Sequence, residues 1–186
     1  SDYAAFQPDY LIGSVHYLIT ENGTFSVDDK TEKVKEGLER YFKGNAKEAV
    51  CMYFALQREM LQKGDFLIWG HPDVIRKRNG ILHFFDESES WYRSELVATA
   101  NSAKHSGVIA EINTGGIARG AIDDVYPSTD FLSLLHASGV PVMINSDAHK
   151  AADIDCAFDR AEAAAKKAGY TEVSFLDAGV IKYKKI

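Results

Sequence analysis

A chain of 186 residues is long enough for one domain with a substantial core. Its 46% hydrophobic and 26% charged residues are ordinary values for a globular protein. The net charge of -6 argues against nucleic acid as a partner, because phosphate backbones are gripped by clustered Lys and Arg. Anionic substrates stay open, since bound metal ions can invert a local field.

No apolar run approaches the ~20 residues of a membrane span. The opening "SDYAAFQPDY" lacks the basic region followed by an apolar one that marks a signal peptide. The expectation is a cytoplasmic protein with no membrane partner. Cys51 and Cys156 lie far apart and outside any CxxC pair, so they read as small core residues in a reducing compartment.

Five short apolar runs have strand character: residues 10–16 (YLIGSVH), 66–71 (FLIWGH), 108–113 (VIAEIN), 141–147 (PVMINSD) and 172–176 (EVSFL). Most are continuous rather than alternating, as in parallel sheets covered by helices on both faces. Helical segments alternate with them. The first, 26–44, carries Ser26 and Asp29 as a capping box and Gly44 as its stop. The second, 45–64, repeats the device with Asn45, Glu48 and Gly64. Further helices run from Ser88 to Gly107, from Ser128 to Gly139 and over 152–169. The polar stretch 17–29, with Asn22-Gly23, reads as a looped-out piece.

Such alternation implies right-handed βαβ units. A full eight-unit barrel needs ~250 residues, so either the sheet is open or part of a barrel is absent.

Four successive strands end in potential ligands. The first ends at His16, the second at His71 and Asp73, the third at Glu111, Asn113 and Thr114, the fourth at Asp147 and His149. In a parallel α/β fold those ends share one face, which carries the active site. Three histidines and one or two carboxylates suit a divalent metal such as Zn, Mn or Fe. Taken singly, each has a plainer reading. His71 before Pro72 could mark a turn, Glu111 could pair with a buried Arg, and Asp147 could cap the next helix. His83, His105 and His136 fall within loops or helices and read as structural or solvent-facing.

The segments "PDYLIGSVHYL", "GDFLIWGHPDVIRK", "IAEINTGG" followed by "YPS", and "VPVMINSDAH" resemble the PHP family of metal-dependent phosphoesterases, and within it the histidinol-phosphatases. The similarity runs from about Pro8 to about Leu176. The resemblance implies a distorted seven-stranded (β/α) barrel, with parallel strands, outer helices and up to three divalent metal ions. It implies His16, His71, Asp147 and His149 as metal ligands and Glu111 and Asn113 as pocket wall. Arg119 is a candidate for gripping the substrate phosphate, although a surface loop Arg is the equal alternative. The implied reaction is hydrolysis of a small phosphomonoester, L-histidinol phosphate, by a metal-activated water in histidine biosynthesis. Asp147 and His149 are the candidate catalytic residues: Asp147 to bridge metals or orient the water, a histidine to act as general acid.

One departure from the family pattern is large. The His-x-His motif expected on the first strand is absent, for no histidine precedes His16. The expectation is therefore the C-terminal portion of a single PHP domain, residues 1–186, with N-terminal strands missing and activity impaired. Two other readings stay open. One is another metal hydrolase, acting on C–N bonds or on other phosphoesters. The other is a non-catalytic PHP remnant that serves as an interaction module.

Overall fold

The computed structural model describes residues 5–186. Its main sheet has six strands: β1 (Ile12–Gly13), β4 (Ile68–Trp69), β5 (Ile109–Asn113), β6 (Val142–Asn145), β7 (Glu172–Asp177) and β8 (Val180–Lys185), in that spatial order. A separate antiparallel hairpin joins β2 (Tyr17–Thr20) to β3 (Gly23–Ser26). The first five strands of the main sheet run parallel, and β8 returns antiparallel against β7. Among the described residues β1 and β8 have no further strand beside them, so the sheet is open, as a partial barrel would be.

The helices are α1 (Thr31–Phe42), α2 (Ala46–Lys63), α3 (Asn79–Leu82), α4 (Ser90–Ser106), α5 (Gly115–Ala118), α6 (Thr129–Ala137) and α7 (Phe158–Ala168). The large core lies between them and the sheet. Trp69, Ala110 and Val142 point into it from β4, β5 and β6 beside Phe54, Phe131 and Leu132. The alternate positions Ile68, Ile109 and Met143 form a small cluster on the opposite face. The period-2 alternation of strands thus divides each run between two faces, both apolar, and this is why the sequence looks continuous. None of the described helices is long and apolar enough to cross a membrane.

Several local expectations hold. Asn45 caps α2, accepting from Glu48 N at 3.3 Å while its amide donates to the Glu48 carboxylate. Ser128 caps α6 by accepting from Phe131 N, and Gly107 and Gly169 end α4 and α7 with positive φ.

Others change. Ser26 belongs to β3, and α1 begins after Lys30 with no side-chain cap. The piece read as a loop is the β2–β3 hairpin, turning at Glu21-Asn22. Ser88 bonds Asp86 instead of capping α4. Residues 151–153 form a 3-10 turn, so the last helix starts at Phe158. The final run does not end the sheet, because β8 adds a strand. Both cysteines are free and half-buried rather than core.

Candidate metal centre

The C-terminal ends of β1, β4, β5 and β6 open into one cleft of about 1020 Å³. His16, His71, Glu111, Asn113, Arg119, Asp147 and His149 line it, whereas the strand-end residue Thr114 does not. Nor does Asp73. It turns away from the cleft and is buried beside Ser128 and Arg76.

His16 follows β1, and its imidazole lies 4.8 Å from that of His71, centroid to centroid and edge to face. His16 Nδ1 is 3.2 Å from Asp28 Oδ2. The hydrogen bond that His16 donates to that carboxylate raises its pKa against the opposing effect of burial. His71 is buried, and burial lowers its pKa although the Glu111 carboxylate pulls the other way. Its Nδ1 is buried with no hydrogen-bond partner.

Backbone strain marks two of the candidates. His71 has φ of 28° and Asp147 φ of 48°, in the left-handed region that non-glycine residues seldom adopt. Such residues persist where their surroundings hold them, often at functional sites. The His71 amide donates to Glu111 Oε2 at 2.8 Å. Arg119 grips Asp147 twice, at the backbone carbonyl and at Oδ2, each at 2.8 Å.

Glu111 is 4% exposed and accepts from three N–H groups: the His71 amide, Asn113 Nδ2 at 2.9 Å and Asn145 Nδ2 at 3.0 Å. A buried carboxylate needs such partners, and none of its three donors is an arginine. The fourth strand contributes a second pair, with His149 Nε2 lying 3.6 Å from Asp147 Oδ1.

The donor set fits a divalent cation in kind: imidazole nitrogens, one of them buried and unpaired, beside carboxylate oxygens. It does so as a partial shell. The four candidates stand as two pairs, and among the described residues no three His, Cys, Asp or Glu gather around one point as a metal requires.

Sequence reasoning missed Asp28 and Lys77, both on the cleft wall, and Asn145. Asp28 sits in "SVDD", which looks like a helix start. Lys77 lies inside "HPDVIRK", a motif in which only the histidine and aspartate attract notice.

Fold and cleft together define a class: an α/β protein whose parallel strands carry imidazoles and carboxylates from their C-terminal ends into one pocket. No family model matches the sequence. The chain is 29% identical over 170 residues to a protein of Deinococcus radiodurans described as a probable histidinol-phosphatase, a match covering 91% of this chain and 58% of that relative. Two crystal structures share its fold. One is a candidate histidinol phosphatase of Listeria monocytogenes (TM-score 0.76, 19% identity, 86% of this chain and 60% of that one). The other is the histidinol phosphate phosphatase of Lactococcus lactis in complex with Zn, L-histidinol and phosphate (TM-score 0.62, 17% identity, 97% of this chain and 65% of that one). The chain is thus similar in sequence to one probable histidinol-phosphatase and in fold to the two structures, and spans less than two thirds of each.

Proposed function

We propose that this chain belongs to a metal-dependent phosphomonoesterase that hydrolyses L-histidinol phosphate in histidine biosynthesis, in the cytoplasm. The convergence of His16, His71, Asp147 and His149 on one cleft supports this reading, as does the likeness to a structure complexed with Zn, L-histidinol and phosphate. The chain is read as the C-terminal portion of a single PHP domain. Its span of 58% of the Deinococcus relative and the two-pair arrangement of donors favour a shell completed by further residues. Zn is the first candidate metal, with Mn and Fe as alternatives and up to three ions in the complete enzyme.

His16 and His71 would hold one cation, and Asp147 with His149 would contribute from the facing strand. A divalent cation there supplies Lewis acidity, neutralising phosphate charge and making a water nucleophilic near neutral pH. Arg119 lines the cleft with its guanidinium engaged on Asp147, and a planar donor fork of this kind suits phosphate oxygens. Asp147, anchored by that arginine, would orient the attacking water. His149, exposed at the rim, could protonate the leaving alkoxide. Glu111 and Asn113 would form the wall beneath the substrate.

The test is phosphate release from L-histidinol phosphate by the 186-residue chain and by the natural polypeptide that carries it, before and after chelation and Zn readdition. The expected result is turnover by the natural polypeptide that stops on chelation and returns with metal, with little from the 186 residues alone. Turnover indifferent to chelation would overturn the metal reading. Release from other phosphomonoesters only would overturn the substrate, and metal binding without release from any would favour an interaction module.

A further inference from the structure

The β2–β3 hairpin has a consequence at the site. Its strands pair Tyr17 with Ser26, and the ladder continues with Val27 N donating to His16 O at 3.0 Å. The chain leaves the cleft at His16 and is brought back to it at Asp28. The returning segment is also tied to the turn after β4, because Arg78 Nε donates to the Asp29 carbonyl at 2.7 Å. Asp28 Oδ2 therefore meets two groups at once: His16 Nδ1 at 3.2 Å and Lys77 Nζ at 3.7 Å. Ser26 Oγ steadies the other oxygen, Oδ1, at 3.4 Å.

We infer that Asp28 is the positioning residue that aims both His16 and Lys77 into the cleft, and that Lys77 is a contact for the substrate's phosphate. The inference rests on the phosphomonoesterase reading above. A carboxylate on Nδ1 fixes the imidazole as the Nδ1–H tautomer and leaves the Nε2 lone pair to take a cation, and such partners orient metal-binding histidines and strengthen them as ligands. Lys77 is otherwise hard to explain. Its side chain is 15% exposed, it lines the cleft, and Asp28 is the only anion its ammonium meets within 4 Å among the described residues. An ammonium tethered on one side only keeps N–H donors for an oxyanion. Lys77 and Arg119 both line the cleft, so a phosphate there would meet a point charge and a planar fork.

The natural polypeptide is compared with its Asp28→Asn, Lys77→Met and Lys77→Arg variants. Zn affinity is measured by competition with a chromophoric chelator. Inorganic phosphate serves as a competitive inhibitor of phosphomonoester hydrolysis. Lys77→Met should leave Zn affinity unchanged and weaken phosphate about tenfold, and Lys77→Arg should recover most of that loss. Asp28→Asn should weaken Zn by roughly 10- to 100-fold and weaken phosphate as well.

Should Asp28→Asn fail to fold, the tautomer of His16 in the metal-free wild type decides: nitrogen-15 NMR should find Nδ1 protonated, and an Nε2–H form overturns the positioning role. Unchanged phosphate inhibition in Lys77→Met, or unchanged Zn affinity in Asp28→Asn, likewise overturns the inference while leaving the phosphatase reading intact. A wild type that neither binds Zn nor releases phosphate overturns both.

Discussion

Arg119 closes on Asp147 at two points, one guanidinium nitrogen on the backbone carbonyl and the other on Oδ2. The same contact holds Asp147 in its left-handed backbone and occupies one of its two carboxylate oxygens. Arg119 thus competes with any cation for Asp147, while also being the planar donor that a phosphate would engage. Arg119→Ala separates these effects. Phosphomonoester turnover should fall roughly 10- to 100-fold through loss of a charge-assisted contact, whereas Zn affinity should hold or rise because the carboxylate is released. A drop in Zn affinity, measured by chelator competition, would show that the arginine serves Asp147 chiefly by holding its backbone.

The two imidazoles at the base of the cleft have opposite shifts. His16 is raised from the ordinary 6.5 by its hydrogen bond to Asp28, and His71 is lowered by burial. The signs follow from linkage. Stability contributed by His16 is full below 6.5 and is lost as pH rises through its folded value. That from His71 is full above 6.5 and is lost as pH falls through its folded value. In metal-free protein, proton NMR should therefore find His16 titrating above His71. Because a ligating imidazole must be neutral, acidification should weaken Zn first through protonation of His16. Observing the reverse order of titration would sink this account.

Beneath the cleft lies a second charged group. Arg76 donates to Glu87 at 2.6 Å and to Asp124 at 2.9 Å, and stands 3.5 Å from Asp73. Asp73 is wholly buried, accepts from Ser128 N, and has its pKa pushed up to about 6 by burial even with Arg76 beside it. Replacing Arg76 by Met strands a buried carboxylate, at a cost of roughly 3–5 kcal/mol. A carboxyl with a raised folded pKa favours folding in its protonated form, so the penalty grows as pH rises through that value. Urea unfolding at pH 5 and pH 8 should show the smaller loss at pH 5; equal losses would mean that Asp73 is not the group left unpaired.

The strand-end histidines and acids were legible because a parallel α/β order alone requires those ends to share a face, whatever the packing. The hairpin was not. Asn22-Gly23 is a hairpin signal, but the turn falls at Glu21-Asn22, one residue earlier, and the strand formers Tyr17–Thr20 follow directly on the run that ends at His16. Asp28 looks like part of a helix start in the sequence, since its partner His16 lies twelve residues back and meets it only after the hairpin closes. Strand β8, "VIKYKK", alternates weakly and carries lysines suited to an exposed edge, so its pattern alone does not announce a strand. Local patterns reported which side chains could act, while the relations among them came from tertiary pairing.

If the hairpin sets the site, a change remote from the cleft should disturb it. Gly37 is buried on α1, where a β-carbon would overlap the ring of Phe25. Phe25 is 2% exposed, sits in β3, and packs edge to face on Phe42. Gly37→Ala would improve helix propensity by up to about 1 kcal/mol, but overpacking a buried aromatic costs about 1–3 kcal/mol, so the overlap should win and the hairpin should shift off α1. Two readings should then move together: a lower urea midpoint, and weaker Zn binding as Asp28 withdraws from His16. Lys35→Ala, on the exposed side of the same helix, should change neither. A Gly37→Ala protein that is destabilised yet binds Zn as the wild type does would uncouple the hairpin from His16.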